Sequence, residues 1–205
     1  MLPAPLILAS SSPYRQALLH KLGLPFTTAT PDIDESPCPG ETPEQLVARL
    51  ATEKAQAVAS SHDQGWIIGS DQVCVINQQI LGKPGTMAAA FAQLRQASGQ
   101  AITFYTGLCL LDATHGKRQL IVEPYRVHFR QLSDEMIKHY LQLEQPLDCA
   151  GSFKSEGLGI TLFTAFEGRD PNSLIGLPLM ALIDMLALWG VTLPLQPQPQ
   201  HRVPG

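Results

Sequence analysis

The sequence is short of charged residues, and their balance is acidic. Asp, Glu, Lys and Arg make up 16% of the 205 residues, whereas a typical globular domain has about 25%. The formal net charge is −4, so the chain lacks the basic surplus that holds DNA or RNA, and we expect no nucleic-acid partner. Hydrophobic residues reach 44%, a composition that excludes disorder of the whole chain.

Cysteine is also scarce, and no uninterrupted hydrophobic run is long enough for a membrane span. The four cysteines lack the paired spacing of zinc or redox motifs, and no disulfide framework is expected: Cys38, Cys74, Cys109 and Cys149. The N-terminus has no positively charged segment, so no signal peptide is predicted. The most apolar stretch, 174–195, contains Asp184 and two prolines and predicts a buried helix. We therefore expect a soluble, cytoplasmic protein without a membrane partner.

Several common catalytic motifs are absent. No Gly-Lys-Ser/Thr stands at the spacing of a Walker A loop, and Gly157-Leu158-Gly159 lacks the third glycine of a dinucleotide fingerprint. Neither Gly-x-Ser-x-Gly nor His-Glu-x-x-His occurs, and the six histidines are scattered. These absences exclude the familiar serine-hydrolase and zinc-hydrolase arrangements.

Apolar runs alternate with helical patterns along the chain, which predicts an α/β fold. Strands are predicted over residues 6–9, 26–30, 66–76, 102–111 and 120–129, and a last strand or hairpin over 158–166. Helices are predicted to begin at Ser12-Pro13, Thr42-Pro43, near Thr86 and at Ser133, and a last helix to span 177–188. A proline- and glutamine-rich tail, 194–205, is expected to be disordered, which leaves one domain over residues 1–193.

The first predicted helix start brings hydroxyls and an arginine together. Ser10, Ser11 and Ser12 follow the first strand, and Arg15 lies in the first turn of the helix. Free N–H groups and the positive dipole end at a helix N-terminus favour an anion, and a guanidinium binds phosphate oxygens through two hydrogen bonds. The motif fits phosphate binding, but an ordinary helix cap has the same residues.

Two charged residues are predicted on apolar faces. Alternation places Asp71 on the same strand face as Val73, where an ionised carboxylate needs a partner. We expect Gly69 to leave this face open for a ligand, although a structural aspartate bonded to nearby backbone fits equally well. On the second predicted helix, Lys54 lies on the apolar stripe and likewise needs a partner.

Two loops add further charges. Gly82-Lys83-Pro84 supplies a cation, and Asp34-Glu35 supplies carboxylates. Each alone is typical of a solvated turn. Together with Asp71 and Arg15, they provide what phosphoryl transfer requires, namely cations for the phosphates and carboxylates for a divalent metal.

Taken in order, these segments resemble the Maf family of nucleoside triphosphate pyrophosphatases. The resemblance covers about residues 5–190 and is carried by 8–15, 34–35, Lys54, 69–71, 82–84, 104–107, 150–157 and 172–178. It implies an α/β fold with a mixed, twisted sheet, helices on both sides and two lobes around a central cleft. It also implies hydrolysis between the α- and β-phosphates of a nucleotide substrate, which gives the monophosphate and pyrophosphate.

The resemblance suggests roles for particular residues. Asp71 is expected to orient and deprotonate water, and with Glu35 to bind a divalent cation, Mg²⁺ or Mn²⁺, as the cofactor. Three cations are expected to hold the phosphates and offset charge on the leaving pyrophosphate: Arg15, Lys54 and Lys83. Ser10 and Ser12 are expected to contact the substrate.

Three further substrate-binding positions match the subgroup of that family that acts on 7-methyl-GTP. They are Tyr14, Gln72 and Glu156, and Cys149 stands where many members have lysine. Methylation at N7 makes guanine cationic, so the Tyr14 ring would attract it through a cation–π interaction. The Glu156 carboxylate can accept hydrogen bonds from guanine N1–H and N2–H₂, whereas a glutamine offers one acceptor atom.

Other functions fit parts of the sequence. Within the enzyme class, the alternative is a pyrophosphatase for the pyrimidine triphosphates dTTP and UTP. A non-catalytic nucleotide-binding regulator of cell division would bind triphosphate without releasing pyrophosphate, but the set of Asp71, Lys54 and Lys83 argues against it. The apolar helix 177–188 is compatible with a homodimer and does not require one.

Overall fold

The computed structural model describes residues 2–195. The strands are β1 (Leu6–Ala9), β2 (Thr27–Ala29), β3 (Trp66–Ile76), β4 (Gln79–Leu81), β5 (Ala101–Asp112), β6 (Arg118–Phe129) and β7 (Phe163–Glu167). The helices are α1 (Pro13–His20), α2 (Pro43–Ala59), α3 (Met87–Ala97), α4 (Asp134–Glu144), α5 (Pro171–Ile175) and α6 (Leu179–Leu188). The tail for which disorder is expected falls outside the described residues from 196 onward.

Local sequence signals explain where the helices begin. Ser12 caps α1 and is followed by proline, and Thr42 and Gln45 form a reciprocal capping box at α2. These predicted starts are confirmed. The strand predicted over 158–166 is partly wrong, because residues Leu158–Leu162 form a 3₁₀ turn and β7 begins only at Phe163. The Glu144 carboxylate accepts the backbone N–H of Leu158 and holds that turn.

The sheet is mixed, with the order β2-β1-β3-β5-β6-β7 and with β4 beside β3. β1 runs parallel to both β2 and β3, whereas β3, β5, β6 and β7 form antiparallel pairs. β1 ends opposite Gly69, and β4 joins β3 only from Cys74. Residues 70–73 therefore have no strand beside them on the β1 side, and this gap opens the sheet at the carboxyl end of β1.

Helices cover both faces of the sheet, as expected. One face packs against α2 through an apolar cluster that includes Ala51, Ala55 and Ile67. The opposite face has two separate clusters. One joins β1 and the start of β3 to α1 and α6, and the other joins the far ends of β3, β5 and β6 to α3 and α4. The predicted α/β fold is confirmed.

A polar band separates the two clusters on that second face. Ser70 and Gln72 of β3 and Thr106 of β5 lie between the apolar residues of the two ends of the sheet, and Gln72 stands directly opposite Thr106. The short helix α5 covers this band. The apolar core on this face is therefore divided into two lobes. The first lobe contains β1, α1 and α6, and the second contains α3 and α4.

The expectation that Gly69 leaves room for a ligand is wrong. A Cβ at Gly69 would overlap the carbonyl oxygen of Ala51, and a Cβ at Gly107 would overlap that of Val47. Both glycines therefore let the backbone of α2 approach the sheet closely. The space beside Gly69 is filled by a helix.

The apolar segment near the C-terminus forms α6 and packs inside the protein, as predicted. Leu179, Leu182 and Leu186 are buried against the first lobe. Within residues 2–195, every helix is too short or too polar to cross a bilayer.

Candidate active site

A cavity of about 450 Å³ lies where β1 ends, between the two lobes. Residues from both lobes line it. Nine of the ten residues predicted for the site are among them: Ser10, Ser12, Tyr14, Arg15, Glu35, Lys54, Gln72, Lys83 and Glu156. The tenth, Asp71, is joined to the cavity through Lys54. Ligands of open α/β sheets bind in this position, at the carboxyl ends of parallel strands.

Lys54 and Asp71 form an ion pair. The Lys54 Nζ atom lies 2.6 Å from Asp71 Oδ1 and 3.0 Å from Glu35 Oε1. Lys54 and Asp71 are each only 6% exposed, whereas Glu35 is largely in solvent. The two charges that the sequence placed on apolar faces thus form a buried pair, and the alternative of an aspartate bonded to nearby backbone is wrong.

Arg15 is half-buried at the start of α1. Its Nε donates to the carbonyl of Gly176 at 2.8 Å, and among residues 2–195 no carboxylate forms an ion pair with it. Burial lowers the pKa of this guanidinium, while the carboxylates of Asp71 and Glu35 oppose that shift. A desolvated guanidinium with unpaired terminal nitrogens in a cavity is suited to bind an anion.

Lys83 reaches the cavity from the second lobe. Lys83 lies on the loop after β4, and hydrogen bonds hold the backbone on both sides of it. Gln93 donates to the carbonyl of Gly82, and the N–H of Gly85 donates to the carbonyl of Leu147. The Lys83 side chain itself is exposed. The cations that line the cavity therefore come from both lobes.

Tyr14 connects the lobes at another part of the cavity wall. Its hydroxyl donates to Asp148 Oδ2 at 3.3 Å and lies 4.0 Å from the Cys149 sulfur. Burial raises the pKa of Tyr14, and it raises the pKa of the Cys149 thiol to about 12, so both groups stay neutral at physiological pH. Glu156 lines the same cavity and is exposed. Apart from its place next to Cys149, no sequence signal points to Asp148.

Comparison with known proteins settles the family. The protein-family model described as "Maf-like protein" matches residues 5–189. The chain belongs to the Maf family.

Curated relatives cover nearly the whole of this Maf chain. The 7-methyl-GTP pyrophosphatase of Nitrosococcus oceani is 58% identical over 186 residues, which are 90% of this chain and 94% of the relative. The 7-methyl-GTP pyrophosphatase of Alcanivorax borkumensis is 57% identical over 190 residues, 93% of this chain and 96% of the relative. Among solved structures, the Ham1 protein of Staphylococcus aureus matches with a TM-score of 0.46 and 13% identity, over 62% of this chain and 72% of that one.

The amide of Gln72 in this Maf protein is mostly occupied by its own fold. Its Nε2 atom donates to the carbonyl of Ser173 at 2.6 Å, and it lies 3.0 Å from Thr106 Oγ1 and 3.2 Å from the carbonyl of Leu174. The remaining polar atom, Oε1, is an acceptor. Gln72 can therefore offer a ligand in the cavity one hydrogen-bond acceptor.

Glu35 and Asp71 are the carboxylates that could hold a divalent cation together with a phosphate ligand. Within the described part of the chain, no three His, Cys, Asp or Glu side chains lie close enough to hold a metal by themselves. Glu35 and Asp71, however, each place one oxygen within 3.0 Å of the same Lys54 nitrogen. One or two carboxylates completed by substrate phosphates and water are a donor set that Mg²⁺ favours.

Sequence reasoning missed the residues that hold α5 over the cavity. Asp170 is fully buried, and its two carboxylate oxygens accept the backbone N–H groups of Asn172 and Met180, so one side chain caps both α5 and α6. The Asp-Pro pair at 170–171 is a helix-start signal that could have revealed α5. The carbonyl contacts that α5 makes with the sheet have no signal in the sequence.

Proposed function

We propose that this protein hydrolyses 7-methyl-GTP to 7-methyl-GMP and pyrophosphate. Two relatives that carry the name of this activity, at 57% and 58% identity over nearly their full lengths, support the substrate. The observation that carries the chemistry is the buried pair of Lys54 and Asp71, of which Lys54 lines the cavity together with Arg15. Removal of a modified nucleotide from the pool is the cellular role we assign to it, in the cytoplasm.

The triphosphate binds among the cations. Arg15 is held by the carbonyl of Gly176 with its terminal nitrogens available, and Lys83 approaches from the other lobe. Lys54 brings a third positive charge beside Asp71. Fixed positive charges at these places offset the negative charge that develops on pyrophosphate as it leaves, which lowers the barrier to cleavage.

Asp71 acts as the base that orients and deprotonates the attacking water. Its contact with the Lys54 ammonium fixes the orientation of its carboxylate. A carboxylate is a weak base, so the proposal includes a divalent cation held by Glu35 and Asp71, which supplies a more acidic water when it is bound. Glu35 comes from an exposed loop, where its position beside Lys54 completes the carboxylate pair.

The base of the nucleotide contacts the other residues of the cavity. The Tyr14 ring stacks on the cationic 7-methylguanine, and its hydroxyl is already bound by Asp148. Glu156 accepts hydrogen bonds from the Watson–Crick edge of guanine. Gln72 contributes the single acceptor that its contacts with α5 leave available.

Product analysis with a panel of nucleotides tests this function. The protein is incubated with 7-methyl-GTP, GTP, dTTP or UTP, with and without Mg²⁺ or Mn²⁺, and pyrophosphate and monophosphate are quantified. We expect release of both products from 7-methyl-GTP at the highest kcat/KM, and only with metal. Faster cleavage of dTTP and UTP would establish the pyrimidine alternative. Binding of all four without pyrophosphate release would establish the regulator.

A further inference from the structure

Two backbone carbonyls of the α5 segment hold the side chains of the polar band. The carbonyl of Ser173 accepts from Gln72 Nε2 at 2.6 Å and from Thr106 Oγ1 at 2.9 Å. The carbonyl of Gly176 accepts from Arg15 Nε at 2.8 Å and from Ser70 Oγ at 3.0 Å. Each carbonyl therefore receives one side chain that lines the cavity and one hydroxyl from the sheet.

The two hydroxyls lie outside the cavity wall. Ser70 and Thr106 are both 0% exposed, and neither lines the cavity. The Ser70 hydroxyl has one proton, which it shares between the carbonyl of Gly107 on β5 at 2.8 Å and the carbonyl of Gly176 at 3.0 Å. Thr106 Oγ1 accepts from Gln72. Because neither hydroxyl lines the cavity, we expect its effect on the ligand to pass through the residue that shares its carbonyl.

The segment that carries these carbonyls has little freedom to shift. Asp170 binds the backbone at both of its ends, at Asn172 and Met180, with distances of 2.8 Å. Gly176 has a φ of 120°, a conformation that favours glycine, and a Cβ there would lie 3.4 Å from Arg15 Nε. The Gly176 carbonyl thus has a fixed place from which it orients Arg15.

We propose that Ser70 and Thr106 are positioning residues for two different parts of the substrate. Ser70 holds the Gly176 carbonyl and so aligns Arg15 with the phosphates. Thr106 holds the Ser173 carbonyl and contacts Gln72 directly, and so aligns the Gln72 acceptor with the base. The inference rests on the proposed function, which assigns phosphates to Arg15 and the base to Gln72.

Binding of two fragments separates the two roles. Tripolyphosphate has no base, and 7-methylguanosine has no phosphate. We expect Ser70→Ala to weaken binding of tripolyphosphate by about fivefold, the equivalent of one hydrogen bond, and to leave 7-methylguanosine unchanged. Thr106→Val has the same shape without the hydroxyl. It should weaken binding of 7-methylguanosine and leave tripolyphosphate unchanged. Titration calorimetry and ligand-observed NMR measure both.

Steady-state kinetics on the intact substrates gives the second readout. Thr106→Val should lower the preference for 7-methyl-GTP over GTP, and Thr106→Ser, which keeps the hydroxyl, should restore it. Ser70→Ala should lower kcat/KM equally on both nucleotides and leave that preference unchanged. If Ser70→Ala does not fold, Ser70→Cys, which retains a weaker donor of similar size, should show the same selective loss for tripolyphosphate.

The outcomes distinguish this inference from the function on which it depends. Equal losses for both fragments in both variants, or no loss in either, would overturn the division of roles while wild-type turnover of 7-methyl-GTP stands. A wild-type protein that binds neither fragment and releases no pyrophosphate would overturn the proposed function and the inference together.

Discussion

The ammonium of Lys54 lies 2.6 Å from a carboxylate oxygen of Asp71, and the two side chains come from different elements, α2 and β3. This distance depends on how closely α2 approaches the sheet. The helix backbone crosses β3 and β5 at Gly69 and Gly107, where any side chain would overlap it. The glycines that permit this packing therefore also set the charge pair of the candidate active site.

Loss of the cation from this pair should destabilise the fold. Lys54→Met leaves the buried Asp71 carboxylate without its partner, and breaking a buried pair from one side costs about 3–5 kcal/mol. Asp71→Asn should cost less, because Lys54 retains Glu35 at 3.0 Å. Urea unfolding of the two variants measures the difference. Equal losses of unfolding free energy in the two variants would show that the contact of Lys54 with Glu35 does not compensate for the loss of Asp71.

A methyl group at Gly69 should push α2 away from the sheet. Gly69→Ala overpacks a buried contact with the Ala51 carbonyl, and overpacking costs about 1–3 kcal/mol. The matched control is Gly82→Ala, since Gly82 has open space around its Cβ position and an ordinary φ. Chemical denaturation should show a lower midpoint for the first variant and little change for the second. A tolerated Gly69→Ala would contradict the close approach of α2.

The loop that carries Glu35 is fixed to α2 by Arg49. Its Nε and Nη2 atoms bind the two oxygens of Glu41 at 2.7 and 2.9 Å, and Nη2 also donates to the carbonyl of Ser36. Arg49 lowers the pKa of Glu41 from 4.5 to about 2. Because the pKa is depressed in the folded state, ionised Glu41 stabilises the fold fully above pH 4.5, and this contribution is lost as the pH falls toward 2.

Thermal unfolding as a function of pH tests this contact. Wild type should exceed Glu41→Gln in Tm by a constant amount above pH 5, and the gap should narrow between pH 4.5 and 2. Glu53→Gln is the control, because Glu53 lies on α2 itself and binds the same Arg49 through Nη1. A gap that stays constant down to pH 3 would contradict the depressed pKa.

Glu156 should determine which base the cavity accepts. Glu156→Gln removes the negative charge and one acceptor that favour the cationic guanine edge, so the preference for 7-methyl-GTP over dTTP and UTP should fall roughly tenfold. Competition kinetics with the three nucleotides measures it. Glu135→Gln, on the exposed face of α4, is the control. An unchanged preference in Glu156→Gln would show that Glu156 does not contribute to recognition of the base.

Much of the local structure, and most of the candidate residues that line the cavity, could be predicted from the sequence. Serine or threonine followed by proline set the starts of α1 and α2, and the burial of charges on apolar faces showed that Asp71 and Lys54 each need a partner. The sequence did not show that they are each other's partner. Periodicity identifies which side chains share a face, but it does not identify the element that covers that face.

The same limit explains the two errors near the site. The open face expected at Gly69 is occupied by α2, because a glycine permits a close neighbour of any kind. Helix α5 was missed because it has only five residues and its stability comes from tertiary contacts. The carbonyls of Ser173 in α5 and of Gly176 directly after it accept from Gln72 and Arg15, which lie about a hundred or more positions earlier in the chain. Such contacts leave no periodic pattern.

Asp71→Asn provides the most direct test of whether this carboxylate is the base in the hydrolysis. Asparagine keeps the volume and can still accept from Lys54, but it cannot take the proton of water. We predict that the variant binds 7-methyl-GTP with nearly wild-type affinity and loses pyrophosphate release by about 10²–10⁴-fold, whereas Asp63→Asn, in an exposed turn, keeps full activity. Pyrophosphate release by Asp71→Asn at close to the wild-type rate would contradict the assignment of Asp71 as the base.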